Sequence, residues 1–279
     1  MPEGDTVFLA ATRLHQALSG EELLKTDFRV PRFATSDLSG RDVLDVTSHG
    51  KHILLRVAGG LTLHTHFKME GAWDLYRPGQ RWRGPGWQVR AVLETKPWVA
   101  VGFRLPVVEL IQTEDETEVV AHLGPDPLRA WDADEALARL KAASGVTVGE
   151  ALLDQKLIAG LGNVYKSEVC FLRGVHPETL IEDVAHLDAL VALSARLLRA
   201  NATTGRQITT GDARRGRERW VYGRGGQPCR RCGAPIARME QPSGGGTRVT
   251  YWCPSCQPAG HRAGKSQSRP SAADPLDWI

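Results

Sequence analysis

The chain opens with Met1-Pro2-Glu3-Gly4-Asp5-Thr6, a run that can set a reactive amine beside an acid. A residue as small as proline in second place is normally exposed by removal of the initiator methionine, which leaves Pro2 with a secondary amine. An α-amino group titrates near pH ~8, far below a lysine side chain, so a usable fraction is neutral and can attack an aldehyde-like carbon to form an iminium. Glu3 stands within reach of the same carbon. Just beyond, Val7, Phe8, Ala11, Leu14 and Leu18 recur at helical spacing, with Asp5 or Thr6 as the expected cap. The amine therefore sits near a helix N-terminus, whose partial positive charge disfavours the ammonium form.

A second constellation lies near the other end. Cys229-x2-Cys232 and Cys253-x2-Cys256 are separated by 20 residues, the spacing of two knuckles joined by a hairpin. Four thiolates close a tetrahedral zinc site and leave no open position, which makes the metal structural rather than catalytic. Disulfides are disfavoured in a cytosolic chain. Between the knuckles Pro242 to Gly246 read as a turn, and Arg248 is presented from the hairpin tip. Cys170 is left over on an apolar helix and is expected to be buried.

Other residues have the chemistry to hold phosphates. Lys51 follows His49-Gly50 at the opening of a strand. Gly160-Leu161-Gly162 runs into a helix starting near Asn163, so backbone N–H groups and the Asn163 amide can hold an anion at the positive helix end. Net charge is only +3, but residues 126–279 carry 21 Lys+Arg against 16 Asp+Glu, and residues 196–238 hold eleven arginines with only Asp212 and Glu218 as acids. Arginine favours bidentate phosphate contacts, which makes nucleic acid the natural partner. Met69, in the turn Phe67-Lys68-Met69-Glu70-Gly71, can act as an apolar wedge between bases. His64 and His66 share one face of a strand, yet no third ligand of suitable type is evident nearby, so packed or hydrogen-bonded histidines are expected rather than a metal pair.

These groups need a scaffold, and the pattern of the chain supplies one. Short apolar alternations at Val43–Val46, His52–Val57, Leu61–His64, Ala72–Tyr76, Val89–Glu94, Trp98–Phe103 and Val107–Gln112, separated by Gly and Pro turns, predict a sandwich or barrel. The two prolines of Leu123-Gly124-Pro125-Asp126-Pro127-Leu128 mark a boundary. Helical periods follow at Ala133–Ala143, Val148–Leu157, the segment from Asn163, and His186–Ala200, and Arg214–Arg224 reads as a loop. The expected domains are 1–122, 123–222, 223–257 and a disordered, Ser/Pro/Gly/Ala-rich tail over 258–279, whose end Leu276-Asp277-Trp278-Ile279 can engage a protein partner. A 42% hydrophobic chain with no bilayer-length apolar run reads as soluble, and its acidic opening predicts no signal peptide and a cytoplasmic location.

Together, Pro2-Glu3-Gly4, His49-Gly50-Lys51, Leu123 to Leu128, the stretch DQKLIAGLGNVYKSE (154–168) and the four-cysteine ribbon with Arg248 resemble the bacterial formamidopyrimidine-DNA glycosylase and endonuclease VIII family, over residues 1–257. The resemblance implies an α+β protein: an N-terminal β-sandwich with a leading helix, a helix-two-turns-helix domain and a zinc ribbon, with DNA in the cleft between the halves. It further implies a monomeric bifunctional glycosylase and abasic-site lyase acting on duplex DNA. Pro2 and Glu3 are then catalytic, Lys51 and Arg248 both catalytic and phosphate-binding, and Asn163, Lys68 and Met69 DNA-binding. Glu3-Gly4-Asp5-Thr6 and the short stretch from Thr210 to Arg224 look more like endonuclease VIII, which points to oxidised pyrimidines. Lys68-Met69-Glu70 departs from that branch's glutamine-leucine-tyrosine wedge. The alternatives are an oxidised-guanine or formamidopyrimidine glycosylase, and a zinc protein that recognises damaged DNA without cutting it.

Overall fold

The computed structural model describes residues 2–244 and 246–259. Met1 and residues 260–279, with the tail's expected partner-binding end, lie outside the described residues. The chain divides into two compact units between His122 and Leu123.

The first unit begins with helix α1 (Gly4–Leu18), which starts one residue before the expected caps, with Glu3 at its N-cap. Eight strands follow: β1 (Lys25–Phe28), β2 (Val43–His49), β3 (His52–Val57), β4 (Leu61–His66), β5 (Ala72–Tyr76), β6 (Val89–Glu94), β7 (Val99–Phe103) and β8 (Val107–Gln112). They form two antiparallel sheets in the orders β1-β6-β7-β5 and β2-β3-β4-β8. Val7, Ala11, Leu14 and Leu18 of α1 share one core with Val46, Ile53, Leu55 and Leu63 of one sheet and Phe28, Ala91, Leu93 and Ala100 of the other. The sheet carrying β6 and β7 is buried on its second face as well, by Val92, Val101 and Phe103 with Trp82 packed on them. Strand β1 has one core residue, Phe28, among polar neighbours, which hides it from an alternation search. A short helix, α2 (Glu116–Val120), closes the unit. Its Glu116 makes a fork with Arg56, at 2.8 and 2.5 Å, and accepts from Thr62.

The second unit is helical and ends in a hairpin. Helices α3 (Ala133–Ala142), α4 (Val148–Ala151), α5 (Asn163–Arg173) and α6 (Leu187–Asn201) enclose a core of Leu140, Leu152, Tyr165, Phe171, Leu190 and Leu197. The helix expected over Val148–Leu157 stops at Ala151 although it begins on a full capping box, Thr147 with Glu150. Side chains divert the backbone that follows: Asp154 accepts from Lys156 N–H at 2.9 Å and Gln155 from Gly160 N–H at 3.0 Å, competing with the helical ladder. Strands β9 (Ala237–Ser243) and β10 (Gly246–Trp252) form the hairpin. Pro242 pairs with Thr247 inside it, so the turn is tighter than the expected Pro242–Gly246, and Arg248 stands opposite Gln241 on the strand rather than at the tip. Among the described residues no helix is long and apolar enough to cross a membrane.

Candidate active site and metal centre

In the first unit the expected amine and acid stand together at one helix end. Pro2 is half-buried, while Glu3 and Asp5 are fully buried at the N-terminus of α1. Fifteen helical residues stand behind them, and the dipole of that helix places partial positive charge there, which disfavours an ammonium.

Lys51 occupies a two-residue turn between β2 and β3 rather than the strand itself, since His49 pairs directly with His52. Gly50 takes φ +56°, the left-handed conformation this turn needs. The next register pair, His52 with His66, carries Lys51 to the sheet end where Phe67-Lys68-Met69 begins. Lys68 adopts φ +48° and donates its N–H to His66 Nδ1 at 2.9 Å. Met69 is 47% exposed, so it is not a core residue.

The histidines on this sheet form an array that the sequence conceals. His52 Nδ1 lies 2.9 Å from His64 Nε2, and His64 Nδ1 lies 2.9 Å from Glu109 Oε2. The rings of His66 and His122 abut His52 edge-on at 4.7 and 5.9 Å. Further candidate ligands thus lie beside His64 and His66, contrary to expectation, because β3 and β8 flank β4 and bring in residues distant along the chain. The hydrogen-bonded reading still holds: among the described residues the four cysteines alone have their ligand atoms gathered as a metal requires. Burial, followed by the positive charges of Lys68 and Lys51, pushes His66 down to about 3. Burial and the surrounding histidines push His52 down to about 2. Both are neutral at physiological pH, and the acceptor role of His66 Nδ1 requires it.

In the second unit Asn163 is the first residue of α5 and is buried, with Nδ2 donating to Val249 O at 2.7 Å. This bond sets Asn163 against the residue next to the exposed Arg248. Three buried polar residues, Lys166, Thr250 and Gln241, tie α5 to both strands of the hairpin. Lys166, fully buried on α5, bonds to Thr250 of β10 and lies 3.5 Å from Gln241 of β9. Gln241 accepts from Thr250 at 2.7 Å and donates to Pro177 O at 3.1 Å. Glu168, one turn along from Val164, is likewise fully buried. It accepts from the N–H groups of Trp220, Val221 and Tyr222 at 2.8, 2.9 and 2.8 Å and from the Thr209 hydroxyl. One carboxylate therefore pins the arginine-rich segment that reads as a loop. The sequence hints at neither role, because a lysine or glutamate on a helix ordinarily faces water.

The thiol sulfurs of Cys229, Cys232, Cys253 and Cys256 all lie within 4.8 Å of one another. A tetrahedron with Zn–S bonds of about 2.3 Å needs sulfurs roughly 3.8 Å apart, so the four residues fit zinc. Burial pushes the Cys253 and Cys256 thiols up, against ionisation in the absence of a cation. Gln257 braces the second knuckle, accepting from Cys253 N–H at 2.9 Å and donating to Val175 O at 2.7 Å. Cys170 is fully buried and apart from the cluster, its thiol pushed up by burial to about 12.

The fold and this thiolate centre have close counterparts. Residues 1–104 match the formamidopyrimidine-DNA glycosylase N-terminal domain, residues 123–210 the formamidopyrimidine-DNA glycosylase H2TH domain, and residues 226–259 the zinc finger found in FPG and IleRS. A probable endonuclease 8 2 of Streptomyces coelicolor is 50% identical, over 97% of this chain and 99% of its own length. The DNA-(apurinic or apyrimidinic site) lyase Nei2 of Mycolicibacterium smegmatis is 45% identical, over 93% and 100%. Among solved structures, Lactococcus lactis Fpg (MutM) in complex with N7-benzyl-Fapy-dG-containing DNA superposes with a TM-score of 0.76 at 23% identity, covering 92% of this chain and 100% of that one. The chain belongs to the formamidopyrimidine-DNA glycosylase family. It is a DNA glycosylase with abasic-site lyase activity, acts in base excision repair, and carries one structural zinc.

Proposed function

We propose that the protein removes oxidised pyrimidines from duplex DNA and then cuts the abasic strand, working as a monomer in the bacterial cytoplasm and nucleoid. The observation that carries this reading is the placement of Pro2 beside a fully buried Glu3 at the head of a 15-residue helix, where removal of Met1 exposes the Pro2 amine. A base inside the duplex is out of reach, so the nucleotide turns out of the stack. The neutral Pro2 nitrogen attacks C1′ and the base leaves with the C1′–N bond electrons, taking up the proton from the amine; Glu3 then passes its proton to the ring oxygen as the C1′–O4′ bond breaks, and the Pro2 lone pair closes the iminium. The iminium so formed acidifies the C2′ hydrogens. Loss of one expels the 3′ phosphate by β-elimination, and a second elimination expels the 5′ phosphate. Lys51 and Arg248 hold phosphates next to the extruded nucleotide and assist these eliminations, Asn163 contributes a further phosphate contact, and Lys68 with Met69 fills the gap in the stack. Thiolates of Cys229, Cys232, Cys253 and Cys256 hold the zinc, which folds the ribbon and takes no part in the reaction.

Support for the pyrimidine branch comes from the names of the relatives, endonuclease 8 2 at 50% identity and Nei2 at 45%. A Gluconobacter oxydans formamidopyrimidine-DNA glycosylase is 34% identical, which keeps the oxidised-guanine branch as the comparison to test. Single-lesion duplexes separate the two, and Glu3→Gln tests the chemistry. This variant keeps the amine but lacks the acid, so base excision falls by about a hundredfold or more, while cutting at preformed abasic sites, whose sugar opens without help, falls much less. Equal loss of both activities, or faster release of oxidised guanine than of oxidised pyrimidine, contradicts the proposal.

A further inference from the structure

The loop between β5 and β6, residues 77–88, plays no part in the reaction described above, and its composition is unusual. From Leu75 to Leu93 there are four arginines (Arg77, Arg81, Arg83 and Arg90), two tryptophans and no Asp or Glu. None of the four arginines is in an ion pair among the described residues. Arg81 and Arg83 are exposed and border a concavity of about 560 Å³ with Trp82, Gly84 and Pro85.

The two tryptophans have opposite fates. Trp82 packs on the buried Val92, Val101 and Phe103, tying the loop to the sheet. Gly84 permits this approach, since a β-carbon there would come within 2.7 Å of the Phe103 ring. Trp87, five residues on, is 74% exposed, the most exposed large apolar side chain described. Its backbone is nevertheless fixed. Three arginines donate to consecutive carbonyls around it: Arg29 to Gly86 O at 3.2 Å, Arg90 to Trp87 O at 2.8 Å and the Arg104 N–H to Gln88 O at 2.7 Å. Arg104 also bonds the Gln88 side chain at 2.8 Å, and Tyr76 holds the Arg83 N–H at 3.1 Å. Arg29 and Arg104 pair with Asp27 and Glu70, whereas Arg81, Arg83 and Arg90 make no ion pair among the described residues. An indole kept in water on a braced backbone, in one loop with Arg81 and Arg83, calls for an occupant that is both anionic and flat.

We propose that this loop is a second DNA-contacting surface that takes an unpaired stretch, with phosphates on Arg81 and Arg83 and a base stacked on Trp87. Aromatic faces bind single strands because every base has a π-face, and adjacent guanidiniums neutralise the backbone. Paired bases are covered by their neighbours and cannot use the indole, which assigns the surface to single-stranded DNA flanking the duplex. An acidic protein partner matches the arginines but gives the exposed indole no role. The inference rests on DNA being the substrate.

The test uses the full-length zinc-loaded protein with a blunt abasic-analogue duplex, the same duplex with a twelve-nucleotide thymidine extension, and the thymidine strand alone. Wild type binds the extended duplex more tightly than the blunt one. Trp87→Ala lowers affinity for the extension and the single strand roughly five- to tenfold, and Trp87→Phe restores most of it. Arg81→Ala/Arg83→Ala flattens the salt dependence of single-strand binding by about 1.4 logarithmic units per decade of salt. All three variants excise from the blunt duplex like wild type and melt at its temperature. Unchanged single-strand affinity in Trp87→Ala, or an equal loss on blunt and extended duplexes, overturns the proposal. Absence of excision by wild type instead overturns the DNA glycosylase reading on which it rests.

Discussion

The two units place their candidate functional groups by different physical means. In the first, strand register does the work: His52 opposite His66 brings the Lys51 turn and the Lys68-Met69 turn to one sheet end, over a core of aliphatic side chains shared by α1 and both sheets. In the second, buried polar groups and a metal do it. Glu168 holds three successive N–H groups, Lys166 and Gln241 tie α5 to the ribbon, and four thiolates close the knuckles. Positions set by register survive the loss of single side chains, because many contacts define them. Positions set by one carboxylate or one thiolate do not.

The sharpest break of that contrast is at the zinc. Metal binding to a small four-thiolate ribbon supplies folding free energy on the order of 10 kcal/mol. Cys253→Ser therefore loses zinc and DNA affinity together, whereas the first unit keeps its melting transition. Metal analysis and calorimetry check this, and stoichiometric zinc with normal affinity contradicts it.

A smaller effect is expected inside the second unit. Glu168→Ala leaves the buried Val221 N–H and the part-buried N–H groups of Trp220 and Tyr222 without their acceptor, costing about 3 kcal/mol. The arginines from Arg214 to Arg219 then become sites of rapid tryptic cutting, while zinc content stays normal. An unchanged digestion rate means that the carboxylate is not what holds the segment.

The smallest effect belongs to the first unit and depends on pH. His52 and His66 are held below their ordinary value of 6.5, so the unfolded chain binds their protons first as pH falls. Stability from their neutral forms is complete above about pH 6.5 and is lost progressively towards pH 3. The groups facing them are His64, His122, Lys51 and Lys68, with Glu109 behind His64. Protonated His66 also loses its acceptor for Lys68 N–H. Melting temperature accordingly falls between pH 7 and 5 in wild type and falls less in His66→Gln; parallel curves contradict the array's role.

Much of the fold is legible in the sequence. Strands β2 to β8 alternate strongly enough to be read within a few residues, and the knuckle spacing announces zinc. Strand β1 was hidden by its polar composition, and the end of α4 by the Asp154 and Gln155 side chains that capture the backbone. The histidine array escaped because cross-strand pairing, not sequence distance, assembles it. Lys166 and Glu168 escaped because burying a charge is exceptional, and their partners lie at Gln241, Thr250 and Trp220 to Tyr222, dozens of residues away.

The central claim is that the first unit's nucleophile is the chain's own terminus. Incubation with abasic DNA and borohydride tests it most directly, since reduction converts the iminium to a stable adduct whose position can be sequenced. The account predicts a cross-linked tryptic peptide beginning at Pro2, and no adduct when Met1 is retained or a tag precedes it. A cross-link at Lys51, or base removal by the N-terminally blocked protein, contradicts it.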